Sequence, residues 1–533
     1  MRVKNVPCGM LPREETSYRF IFGVLLAYIA VELTGIFLHP MWRDEMHTWS
    51  MASASSSLGD LLQRKAAEGH PDMWYFIVYG IRQLSDSFVS MQLFHGALAA
   101  VTVFLILKYA PFTRIQRVLL ISGYFYLFEY AMISRNYSAG ILLITLLLVL
   151  YRHRQRLFFM MALILFLLAQ TNVFGLIFCI AILGTLIFEF AASEEFRSGL
   201  LRRKRLLVIS IAMVLAGIAY SLHSVIPPPS AYFAGAAHFS LYQLTWKGFV
   251  QTAAIVWKAW VPLPELKIQF WDTNIIRYDW LQAILSAGLL FSAALMFVKR
   301  PVVFVLFISG SAGIIAFVLM YYFGYIRHHG HLYILLITCL WLAAFYRENE
   351  LPLRSAILER YCNWLKERRD RLFLIVLALQ FLAAIFAITV QALVPFSAAK
   401  MTAEYIKVQK LDRFLIAGDQ DVCLEPVLGY LHKEAYFFSR RATSTYAIYD
   451  SNRKLPTPAT MLAMADSLVK AHGDTVLLVM NYYIDEPTGL NLKEIKSFKK
   501  SIRWDEIYIL YLLCPAEGAP IPGKQRGPLS SGK

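Results

Sequence analysis

The chain is 533 residues long, 58% hydrophobic and only 17% charged, with a formal net charge of +16. Soluble domains usually carry about a quarter charged residues and under half apolar ones. Disorder, a coiled coil and a cysteine scaffold are therefore excluded, an ordinary cytosolic enzyme is disfavoured, and a polytopic helical membrane protein remains.

Runs of about 20 mostly apolar residues read as spanning helices. In chain order they are 18–38, 86–107, 118–132, 133–150, 157–173, 175–190, 206–226, 281–298, 301–320, 331–346 and 372–392, eleven in all. Residues 71–85 form a shorter amphipathic stretch, read as lying at the membrane surface. Basic residues collect at Lys108, Arg114 and Arg117, at Arg152, Arg154 and Arg156, at Arg202–Arg205, at Lys299 and Arg300, and between Arg347 and Arg371. The positive-inside rule makes these loops cytoplasmic. Eleven crossings then leave the N-terminus inside and the C-terminus outside. The basic excess is an orientation signal and gives no support to nucleic-acid binding.

Residues 397–514 have soluble composition. Strand-like runs (RFLIAG, EAYFFS, TVLLVMNYY, IYILYLL) are interleaved with helix-like ones (EPVLGYLHK, ATMLAMADSLVKAHG), which predicts a small extracytoplasmic α/β domain. The expected division is 1–394 as the transmembrane domain with an external loop over 39–85, 395–514 as the α/β domain, and 515–533 as a disordered Pro/Gly/Ser-rich tail. Six cysteines lack CxxC spacing, against a zinc or redox motif. An oxidising compartment would permit a Cys423–Cys514 disulfide; two unpaired buried thiols are the alternative.

Four polar clusters interrupt this apolar background, and ionisable groups beside spans are functional by default. The first is HPMWRDEMHTW (39–49), with Arg43, Asp44, Glu45 and His47. The second is EGHPDMWYF (68–76), with His70 before Pro71. The third is SRNYS (134–138), with Arg135 and Tyr137. The fourth is YYFGYIRHHGHLY (321–333), with Arg327, His328, His329 and His331. The bland readings of the first three are an interfacial Trp belt, a helix-starting Pro and a snorkelling Arg. The predicted topology puts all four on one side. There a carboxylate can act as general base toward a hydroxyl, while Arg and His neutralise a phosphate leaving group. HHGH lacks the i, i+4 spacing of a helical metal site, so metal use stays open.

In their order along the chain these motifs resemble the GT-C superfamily of membrane glycosyltransferases. They look like the bacterial family 39 branch, related to protein O-mannosyltransferases and to the aminoarabinose transferase of lipid A. RDEMHTW at 43–49 matches the acidic motif after the first span. His70-Pro71-Asp72-Met73-Trp74-Tyr75 is similar to a His-Pro-Pro-Leu-Tyr-Tyr motif that has lost its second Pro. Ser134-Arg135-Asn136-Tyr137 matches a later Ser-Arg-x-Tyr element, and 327–333 looks like a run found in uncharacterised members. The resemblance covers about residues 18–392.

It implies an inverting transfer from a polyprenyl-phosphate sugar to a lipid, glycan or protein acceptor at the outer face of a bacterial inner membrane. Asp44 would be the base. Glu45 and His70 would shape the site or bind a metal, and Arg135, Arg327 and His328, with Tyr137 and His331 nearby, would hold the donor. The second acidic motif of several GT-C families has no clear counterpart here, Glu129 being of uncertain position. The rival readings are a transporter or flippase, or a polymerase or ligase, of lipid-linked saccharides, and a non-catalytic anchor. No internal repeat favours a transporter, and eleven spans exceed an anchor's needs.

Overall fold

Long stretches without charge have to satisfy their own backbone hydrogen bonds in lipid, and the computed structural model shows them as helices. The structure describes residues 16–232, 244–349, 353–484 and 489–515. Helix α1 (Tyr18–Leu38) is capped by Ser17, whose hydroxyl accepts from the Phe20 N–H at 3.3 Å. Then come α2 (Arg43–Ala54), α3 (Leu58–Lys65), α4 (Met73–Leu84), α5 (Val89–Tyr109) and α6 (Arg114–Ile121). A π-helix over Tyr124–Glu129 precedes α7 (Tyr137–Leu150), α8 (Phe158–Ala169), α9 (Val173–Ala192), α10 (Glu194–Leu201), α11 (Lys204–Val225) and α12 (Trp246–Trp260). The series continues with α13 (Asp279–Phe297), α14 (Pro301–Met320), α15 (Ile326–His329), α16 (His331–Leu342) and the 38-residue α17 (Ala356–Leu393).

Among the described residues, eight segments are long and apolar enough to cross a membrane: α1, α5, α9, α11, α13, α14, Ile326–Phe345 and α17. On α11 the side chains of Val208, Ile209 and Leu215 are all more than half exposed. A helix apolar all round yet open on its outer face matches hydrocarbon, not water. Three of the eleven expected spans take another form. The 118–132 run breaks at Ser122–Gly123 into the end of α6 and the π-helix, whose six side chains are all buried. The 133–150 and 157–173 runs become α7 and α8, apolar helices of 14 and 12 residues. Apolar residues there fill the protein interior, which a hydropathy window cannot distinguish from facing lipid. The amphipathic 71–85 stretch is α4, 12 residues long and too short to span. It buries Trp74, Tyr75 and Val78 and exposes Phe76 and Leu84.

The chain divides into two compact units, one of residues 1–39 and 55–393, the other of residues 40–54 and 394–533. The change near 394 coincides with the composition shift. Residues 40–54, grouped by sequence with the membrane part, belong with the second unit.

That second unit holds α18 (Ala399–Val408), β1 (Leu415–Gly418), α19 (Asp421–Leu431), β2 (Ala435–Phe437), β3 (Ala442–Ser444), α20 (Pro458–His472), β4 (Val476–Met480), β5 (Asn491–Phe498) and β6 (Tyr508–Cys514). The sheet order is β3-β2-β1-β4-β6-β5. Strand β1 pairs in parallel with β2 and β4, and the remaining pairs are antiparallel. Every residue of β4 is buried, as expected for a strand covered on both faces. Its alternation divides the core: Leu477 and Val479 pack with Ile406, Leu428 and Leu510, while Val476, Leu478 and Met480 pack with Met461, Val469 and Ile509. Strands β3 and β5 were not expected. The charged sequence of β5, with Lys493, Glu494 and Lys496, is that of a protected edge strand, not a buried one. Cys423 and Cys514 are both free. The Cys423 thiol accepts from Arg43 Nη1 and Asn481 Nδ2, each at 3.4 Å. The expected disordered tail lies, from residue 516 onward, outside the described residues.

Candidate functional site

In the first unit, the break before α7 and the break before α16 bring two of the predicted motifs together. Tyr137 opens α7, and its ring lies 5.5 Å from His331 and 6.0 Å from His328 between ring centres. Tyr130, just past the π-helix, stands 5.6 Å from both Tyr137 and His331, and its hydroxyl donates to the Arg327 carbonyl at 2.6 Å. His331 stacks on Phe174 of α9 at 4.5 Å with planes 16° apart. Gly330 makes the close approach feasible. A Cβ there would stand 2.2 Å from Phe125 and 2.5 Å from the Tyr130 hydroxyl.

Backbone groups fix the imidazoles. The Tyr325 N–H donates to His328 Nδ1 at 2.8 Å, which places the proton of the neutral ring on Nε2. His331 has the opposite tautomer, with Nδ1–H donating to the His328 carbonyl at 3.0 Å. His329 turns aside and donates from Nε2 to the Phe323 carbonyl.

Arg327, 5% exposed, sets its guanidinium against two rings, Trp271 at 5.3 Å and Tyr325 at 5.0 Å from the ring centres. Those rings stack on each other 5.9 Å apart. The indole N–H of Trp271 donates to Glu129 at 3.0 Å, and Tyr124 donates to the same carboxylate oxygen at 2.9 Å. Asp272, in the left-handed region at φ +65°, accepts from the Ile326 N–H at the start of α15. Aromatic faces favour a planar cation, so this cage holds the guanidinium at low exposure.

Arg135 lies within electrostatic reach of both His70 and His328. His70 Nδ1–H donates to the Glu68 carbonyl at 2.7 Å. Burial first, then the Arg135 charge, push the His70 imidazole down to about 4, so it is neutral at physiological pH. Its segment is secured by the buried Lys65–Asp72 pair, with Tyr220 of α11 donating to the second Asp72 oxygen at 2.5 Å. Six of the eight predicted residues, His70, Arg135, Tyr137, Arg327, His328 and His331, thus stand in one neighbourhood of the first unit. The arrangement presents guanidinium groups and an imidazole N–H, the donor types that bind a phosphate. Among the described residues no group of three or more His, Cys, Asp or Glu could hold a metal ion.

The other two residues, Asp44 and Glu45, are on α2 in the second unit. Glu45 is fully buried and accepts from the Trp42 N–H at 3.3 Å, satisfying a donor at the helix start. The Asp44 side chain keeps 24% of its exposure, with Arg43 Nε 3.9 Å away. The Arg43 N–H donates to Glu506 at 3.0 Å, and its guanidinium pairs with Asp505 at 2.8 Å. Burial pushes the Glu506 carboxyl up to about 7, against the opposing pull of Arg43. Burial also pushes the Cys423 thiol up to about 12.

Sequence reasoning missed Tyr130, Phe174, Trp271 and Tyr325, and left Glu129 unplaced. Only their aromatic abundance beside spans signalled them, and most aromatic residues in such a chain line the lipid boundary.

Together these features describe a multi-pass helical membrane protein with an added α/β unit and a buried arginine set against aromatic rings. No family model matches the chain, and no curated protein matches it. Among solved structures it is similar to the arabinofuranosyltransferase AftD from mycobacteria, at 11% identity and a TM-score of 0.33, over 93% of this chain and 41% of that one. The chain thus spans less than half the length of that enzyme.

Proposed function

We propose that this protein is a membrane glycosyltransferase that moves a sugar from a polyprenyl-phosphate donor to an acceptor hydroxyl with inversion. The observation that carries the reading is the grouping of Arg135, Arg327, His328, His331, Tyr137 and His70 in the first unit. Two guanidinium groups and the Nε2–H of His328 are suited to a phosphate whose charge grows as the glycosidic bond breaks. The stacked rings offer faces to a sugar. The base is Asp44, which stays partly open to solvent while its neighbour Glu45 is buried. It takes the acceptor proton as the hydroxyl oxygen attacks the anomeric carbon, and the lipid phosphate departs as a stable anion. A protonated second carboxylate is not needed, unlike in a typical glycosidase. The proposed setting is the outer face of a bacterial inner membrane.

Arg327→Gln and Arg135→Gln test the donor site. Each removes a charge-assisted hydrogen bond worth roughly 1.5–3 kcal/mol, so binding of polyprenyl phosphate to the purified protein should weaken by about ten- to a hundred-fold. Unchanged affinity in both variants would remove the cluster as a phosphate site.

A further inference from the structure

The motif helix α2 lies more than 340 residues before the α/β domain in sequence, yet it is part of the same compact unit. We propose that the C-terminal α/β unit is the scaffold that positions Asp44, with Glu425 acting through His47, and Asp505 and Glu506 acting through Arg43. The inference rests on the reading of Asp44 as the base, and it gives the α/β unit a role in the reaction.

Two latches carry it, and Asp44 lies between them in the helix. At the start of α2, the Arg43 guanidinium pairs with Asp505 at 2.8 Å and its backbone N–H donates to the buried Glu506 at 3.0 Å. Asp505 is itself held by Arg503 at 2.7 Å. One turn further on, His47 Nδ1 meets both carboxylate oxygens of Glu425 on α19, at 2.9 and 3.1 Å. Both side chains are more than nine-tenths buried. The Ala447 N–H donates to Glu425 at 3.2 Å, and the rings of Tyr446 and Tyr449 stand edge-on to His47 at 5.9 and 5.5 Å. Beside this latch α2 and α19 meet closely. A Cβ on Gly429 of α19 would lie 2.2 Å from the Met46 sulfur. Residues 43, 46 and 47 are therefore each fixed to the α/β unit, which sets the rotation of α2 about its axis and the direction in which residue 44 projects.

A general base works only within hydrogen-bond reach of the proton it takes, and a misplacement of about 1 Å can cost on the order of 10²-fold. Holding the base on a rigid helix by buried charged partners is one way to preset that geometry. Glu425 touches no reacting atom in this account and is a positioning residue.

The test is a double-substitution cycle on the full-length protein in detergent or nanodiscs, with hydrogen exchange of α2 measured in parallel. Glu425→Ala should lower kcat by about 10- to 100-fold with the donor KM unchanged, and amides in 43–54 should exchange faster while those of β4 and β6 do not. Glu425→Gln keeps an oxygen to accept from His47 and should recover most of the lost rate. In an Asp44→Asn background, Glu425→Ala should cost nothing further, because residues acting through one group are non-additive. Multiplying effects, or wild-type kcat in Glu425→Ala, would overturn the positioning role. Full activity of Asp44→Asn alone would instead overturn the assignment of the base, so the two failures are told apart.

Discussion

Arg327 shows how single side chains define this site. A guanidinium this buried would be costly alone; here it packs against both Trp271 and Tyr325. Gly330 is the small residue that lets Phe125 and Tyr130 approach the start of α16. Gly330→Ala should force Phe125 and Tyr130 outward, an overpacking penalty of about 1–3 kcal/mol, seen as a lower melting temperature in detergent together with weaker donor binding. Glu506 predicts a pH dependence. Burial pushes its folded carboxyl up from the ordinary 4.5 to about 7. The folded state therefore binds the proton more tightly than the unfolded chain. Its effect on stability is unfavourable and grows as pH rises from about 4.5 to about 7, reaching at most about 3 kcal/mol at 1.36 kcal/mol per unit. Melting temperatures across that window should fall with rising pH, and Glu506→Gln should flatten the slope. An unchanged slope in the variant would remove Glu506 as its source.

At the scale of elements, the buried hub around Glu189 ties α9 to two neighbouring segments. Arg154 forms an ion pair with Glu189, and the Tyr346 hydroxyl donates to the same carboxylate at 2.8 Å. Glu189→Ala removes this carboxylate from a largely covered Arg154 and should destabilise by up to about 3–5 kcal/mol. Replacing both residues with Leu should cost less, and thermal unfolding in detergent compares the two. Which elements were legible in the sequence follows the same physics. The long spans, α4, and the strands β1, β2, β4 and β6 were, because their apolar runs have the length or period of the element. The π-helix was not, since Tyr124–Glu129 is an apolar run like any other. Nor was β5, whose lysines suit its edge. Arg154 was read only as an orientation signal, although the structure pairs it with Glu189, a partner 35 residues away.

For the whole molecule, the sequence separated a membrane part from an α/β part near residue 394 and listed eight site residues. Six of them meet in the first unit. The sequence did not show that residues 40–54 join the α/β unit, because the contacts of Arg43 and His47 with Asp505 and Glu425 span hundreds of residues. Orientation is a prediction at this scale. Reporter fusions after residue 155 and at the C-terminus should report cytoplasmic and external positions respectively, and the same side for both would break the charge-based topology. The most direct measurement is transfer by the purified protein from a panel of polyprenyl-phosphate sugars, with wild type and Asp44→Asn side by side. The account predicts a glycosylated acceptor with wild type and a kcat lower by about 10²–10⁴-fold in the variant, at little change in donor affinity. Equal turnover in the two proteins would contradict it.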